Sequence, residues 1–244
     1  MLKQKTIAAS VVAVGVCLGA GGWQPAQATT TTYDTTYAWG GSGLSAFGNP
    51  NTATMGQTFV APSADILQGF TFYLSGTADL QFQAQVYAWS GSLTGGNGRQ
   101  GAVGSPLYTS TPIPFGSTAG AFVPVNITTG GTTLTAGADY VALLTISGPN
   151  SSNYGSSTGT DVFGYLPFSH VPGNGGGGLN YYNNASDYPD INAGFWDDFL
   201  DYGDAAWTAI FTSPTVPVPE PATLTIVGAG LAGLGMVRRR RKAA

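Results

Sequence analysis

The chain has 244 residues, 43% of them hydrophobic and only 8% charged, with a net charge of −4. That is enough apolar material for a real core in one ordinary domain, which excludes wholesale disorder. The absence of a basic face excludes a nucleic-acid binder, and 37 glycines with no triplet repeat point away from collagen toward turn-rich β structure.

The first 28 residues have the three zones of a secretory leader. Lys3 and Lys5 precede the apolar run 7–20, and Ala26-Gln27-Ala28 puts small residues at the two positions a signal peptidase reads. Cleavage is expected after Ala28. An uncleaved anchor is the competing reading, but Gly21, Gly22 and Pro25 break the run before the ~20 residues a span needs. Cys17 lies inside the apolar zone, so cleavage leaves a mature protein without cysteine and hence without disulfides or thiolate chemistry.

Residues 29–213 read as one all-β domain, an antiparallel sandwich or jelly roll. Leu80, Phe82, Ala84, Val86 and Ala88 alternate strictly with Gln81, Gln83, Gln85, Tyr87 and Trp89, which predicts a half-buried strand. Phe70, Phe72 and Leu74 alternate in the same way just before it, and residues 75–79 between the two runs predict a hairpin turn. The continuous apolar run from Tyr140 to Ile146 predicts a central strand. Shorter strands are expected at 57–60, 107–110, 122–127, 162–166 and 207–212, with long loops at 91–101 and 174–184 and a helical turn or two at 195–202.

Chemistry-bearing residues are few. Between 29 and 218 there are eleven Asp, Arg99 and His170, with no Lys, Glu or Cys, for a formal charge of −10. No nucleophile motif surrounds His170, so no catalytic residue is assigned. An Asp-based hydrolase ranks third among the functions considered, since two carboxylates suffice for glycoside hydrolysis but no pair stands out.

Six of the eleven carboxylates crowd together: Asp187, Asp190, Asp197, Asp198, Asp201 and Asp204. Hard oxygen ligands at that density suit Ca2+, although the spacing is not that of an EF-hand and a solvated acidic loop is the plainer reading. Tyr181, Tyr182 and Trp196 share this region. Flat rings beside carboxylates and amides are what a sugar-binding face uses, so a carbohydrate-binding module is the second functional reading, against the simpler role of such rings as core filling.

The chain ends in its most specific feature. A Pro-rich spacer, 214–221, contains Pro219-Glu220-Pro221; Ala222 to Val237 follow without a charge, and residues 238–244 begin with Arg238, Arg239, Arg240 and Arg241. Sixteen helical residues span about 24 Å, a minimal crossing of a ~30 Å hydrocarbon core. The basic cluster would hold the extreme C-terminus in the cytoplasm and place residues 29–218 outside.

This arrangement closely resembles the PEP-CTERM sorting signal of Gram-negative bacteria. The resemblance implies an exosortase as partner, processing near the triad, an inner-membrane-anchored precursor and delivery to the cell surface, often within an exopolysaccharide matrix. It names a destination for a non-enzymatic exported protein and assigns no ligand to the domain it carries.

Overall fold

The computed structural model describes residues 28–49, 51–77, 79–94, 100–147, 159–167, 171–172, 174–182, 191–192, 196–198, 203–214 and 230. The chain divides into two compact units, Ala28–Thr215 and the two ends, Met1–Gln27 with Val216–Ala244. Apart from Gly230, the second unit lies outside the described residues, as do the expected leader and the expected transmembrane helix. Among the described residues, no helix is long and apolar enough to cross a membrane.

Ala28–Thr215 is a sandwich of two antiparallel sheets. Its strands are β1 (Thr30–Asp34), β2 (Gly43–Asn49), β3 (Thr54–Val60), β4 (Ile66–Ser75), β5 (Leu80–Ser90), β6 (Gly101–Thr109), β7 (Ile113–Phe115), β8 (Val123–Thr133), β9 (Asp139–Thr145), β10 (Gly159–Pro167), β11 (Leu179–Tyr182), β12 (Asp197–Asp198), β13 (Gly203–Ala205) and β14 (Trp207–Thr212). One sheet runs β1-β14-β4-β10-β13, with β2 on β10 and β8 on β4. The other runs β12-β11-β3-β9-β5-β6, with β7 on β5.

The period-two runs become strands because each has one face to bury. Leu67, Phe70, Phe72 and Leu74 of β4 and Trp207, Ala209 and Phe211 of β14 meet Phe59 of β3 and Leu80, Phe82, Ala84 and Val86 of β5 in one core. In β4 the inward residues slip by one between Leu67 and Phe70, and a register shift at Leu67/Gly69 absorbs the extra residue so that both still face in. Gly69 is needed there, since a Cβ would lie 2.4 Å from the Ile127 carbonyl oxygen. Aromatic rings fill the centre, Phe72 lying 5.0 Å from Phe163 and Phe59 5.6 Å from Trp207 between ring centroids. Such pairs add about 0.5–1.5 kcal/mol each beyond burial.

Strand β9 lies between β3 and β5, as its continuous apolar run predicts. Its inward residues Tyr140, Ala142 and Leu144 join the main core, while Val141 and Leu143 face a second cluster on the outside of the sheet with Tyr87, Trp89, Ala102, Ile191 and Trp196.

Three expectations are corrected. The 75–79 connection is not a hairpin: β4 pairs with β14, β8 and β10, whereas β5 pairs with β9, β6 and β7, so the chain crosses from one sheet to the other. Both edges of β4 are taken by β14, β8 and β10, so β5 lies across the core from it. The expected loop at 174–184 contains β11, which pairs with Thr54 to Gln57. The expected helical turn at 195–202 is extended where described: Trp196 bridges Gln100, and Asp197 and Asp198 pair with Tyr181 and Asn180.

Candidate functional site

The acidic and aromatic region predicted from the sequence is divided by the fold into interior and exterior parts. Asp204, on β13, is fully buried. Its Oδ1 accepts hydrogen bonds from Asn174 Nδ2 at 2.7 Å and Gln57 Nε2 at 3.1 Å, and its Oδ2 accepts one from the Val171 amide at 2.8 Å. Gln57 in turn accepts the Ala205 amide at 2.7 Å, and Asn174 donates to the Gly177 carbonyl at 3.0 Å. A carboxylate so surrounded is satisfied by N–H donors of its own chain. It holds β3, β13 and the 171–178 segment together.

The glycine run 175–178 belongs to the same construction. Gly175 and Gly178 accept amide hydrogen bonds from Val60 and Thr58 of β3. Thr58 Oγ1 takes the Gly178 amide at 2.9 Å. A Cβ on Gly177 would sit 1.6 Å from the Thr58 carbonyl oxygen, so only glycine lets the two backbones come this close. Burying both Gln57 and Thr58 on successive residues of β3 requires polar partners on both of its faces: Asp204 and Ala205 of β13 supply them to Gln57, and Leu93 and Gly178 to Thr58.

Asp197 is exposed, and the Tyr181 hydroxyl lies 3.4 Å from its Oδ2. Asp187, Asp190, Asp201 and the side chain of Asp198 lie outside the described residues. Among the described residues, no group of three His, Cys, Asp or Glu is placed to hold a metal ion.

Trp196 lies inside the domain, the simpler of its two sequence readings. It is fully buried, packed edge-on against Trp89 at 5.4 Å, with Nε1 donating to the Ile191 carbonyl at 3.2 Å. A ring enclosed in this way offers no face to a sugar. Tyr181 is partly buried against the main core, and the side chain of Tyr182 lies outside the described residues, as does His170. The pairing of Tyr181 with Met55 and Asp197 was hidden in the sequence by the glycines before it.

The domain ends close to the tail. The Ser213 amide donates to the Thr29 carbonyl at 2.9 Å, so the last strand is fastened beside the first described residues, and the Pro-rich spacer begins at the next residue. Residues 217–241 match the model of the PEP-CTERM protein-sorting motif. The chain carries a PEP-CTERM sorting signal. In this PEP-CTERM protein the matched stretch takes in Pro219, Glu220, Pro221 and Arg238 to Arg241.

No curated protein matches the chain. Two similar solved structures are of clostridial Cwp84. One is the cysteine protease after propeptide cleavage, 14% identical over 75% of this chain and 40% of that one, with a TM-score of 0.43. The other, from Clostridium difficile, shows the cysteine protease and lectin-like domains of the surface-layer-associated protein, 13% identical over 75% of this chain and 36% of that one, with a TM-score of 0.42. The PEP-CTERM protein thus spans well under half the length of these chains.

Proposed function

We propose that this PEP-CTERM protein is a non-catalytic cargo domain with an address: Ala28–Thr215 folds outside the cell, and an exosortase reads and processes the tail. The observation that carries the reading is the sorting motif at 217–241, beginning five residues after the last strand ends at Thr212. Export toward the cell surface follows from that motif. Work within an extracellular polysaccharide layer is our proposal and rests on the tail's resemblance.

A Pro-rich spacer fits the role physically. Proline fixes φ near −65° and Pro-rich stretches favour extended backbone, the form in which a processing enzyme can read a substrate segment. The domain has a formal charge of −10 and is otherwise solubilised by neutral Ser, Thr, Asn and Gln, which suits a hydrated surface layer.

Fractionation tests the address. With the exosortase present, the full chain is expected at the cell surface or in the matrix. A chain ending at Pro214, or the full chain in cells without the enzyme, is expected to be lost from that fraction. Surface display unaffected by either change would refute the proposal.

A further inference from the structure

We infer that β1 is the closing strand of the domain, docking on β14 only after the leader has been cut and the last strand has been exported. The inference rests on the export reading above and adds an order of events to it.

The first and last strands of the domain are partners. Thr30 to Asp34 pair in register with Thr212 to Thr208, across nearly the full length of the domain. Beyond the strands, Thr29 and Ser213 share a side-chain hydrogen bond in addition to the backbone one. On the other flank, Thr35 is fully buried: its amide donates to the Trp207 carbonyl at 3.1 Å, its Oγ1 donates to the Ala205 carbonyl at 2.6 Å, and the same Oγ1 accepts the Trp207 amide at 2.9 Å. Tyr33 lies between, its ring centroid 5.0 Å from Phe211 and its hydroxyl donating to the Val60 carbonyl at 2.9 Å.

Two constraints follow. Strand β14 is made last and crosses last, so β1 has no partner until residues up to Ser213 are outside. The bond expected to be cut, Ala28–Thr29, is the second constraint. A protease binds its substrate as an added strand, using the backbone groups on either side of the scissile bond. In the closed domain the Thr29 carbonyl is engaged by Ser213. Cleavage therefore precedes closure, and closure waits for the residue just before the spacer of the sorting tail.

Thr32 and Ile210 face each other in register, and Ile210 is 46% exposed. Thr32→Cys with Ile210→Cys, in a chain whose Cys17 is replaced by alanine, makes this pair the only thiols in leader-bearing and cleaved forms alike. The full chain is pulse-labelled in the producing cell, treated with a thiol oxidant, trapped by alkylation, and sorted by mass into leader-bearing and cleaved forms. Disulfide is expected in the cleaved chains alone. Disulfide in leader-bearing chains would overturn the order of events. A cleaved double variant that melts like the unsubstituted protein yet forms no disulfide would overturn the pairing. Failure of the export reading has its own signature, an unsubstituted chain that never begins at Thr29, and that result would overturn both.

Discussion

Asp204 shows how far a single residue type can be read from sequence. Among six clustered carboxylates it looks like a cation ligand, but its oxygens are taken by Gln57, Asn174 and Val171, donors far from it along the chain. Nothing in local spacing reveals them. Asp204→Asn replaces an acceptor with an amide that faces donors, and hydrogen bonds to a charged group contribute roughly 1.5–3 kcal/mol each. We expect a loss of about 2–3 kcal/mol in denaturant unfolding, the same with calcium or with chelator. A loss seen only when calcium is present would restore the metal reading. Gly177→Ala is expected to cost about 1–3 kcal/mol because its Cβ would meet backbone, which cannot rotate away.

Tyr33 adds a pH dependence. Burial pushes its phenol above the ordinary value of about 10. The unfolded chain therefore loses this proton first as pH rises, so the contribution is fully present below pH ~10 and is lost as pH climbs through the higher folded value. Denaturation at alkaline pH should be shallower in Tyr33→Phe than in the parent. Equal slopes would mean that the phenol is not the titrating group.

At the scale of elements, the strands with clean alternation or a continuous apolar run were legible: β4, β5, β9 and β14 lie where their apolar residues put them. What alternation leaves open is which neighbour a strand takes. A four-residue connection such as 76–79 can close a hairpin or carry the chain across the sandwich, and the outcome depends on what else pairs with β4. Strand β1 was missed because Thr-Thr-Thr-Tyr-Asp has a single apolar-bodied ring, and β11 because four glycines precede it. Both owe their extended form to partners far away in sequence, β14 and β3. That Trp196 fills a core was the simpler sequence reading, but its neighbours Trp89 and Ile191 were not legible there. Trp196→Ala should cost about 3–5 kcal/mol, as large-to-small changes of buried aromatics do. If the ring were instead a sugar platform, the variant would keep its melting temperature and lose glycan binding.

For the whole molecule, the modest net charge of −4 averages unlike parts. Seven of the eight basic residues lie in the two ends, and the sandwich between them is acidic and nearly free of cations. The tail was the most legible feature because its recognition depends on the order of a proline-rich triad, an uncharged run and an arginine cluster, all local in sequence. The central claim is that this tail is an address removed from a folded cargo. Intact mass of the protein recovered from the cell surface tests it most directly. The account predicts a surface chain that begins at Thr29 and ends near the Pro219-Glu220-Pro221 triad when the exosortase is present, and, when it is deleted, a chain that retains Arg238 to Lys242 and is recovered only from the cell membranes. Surface protein that still carries Arg238 to Lys242 in the presence of the enzyme would contradict it.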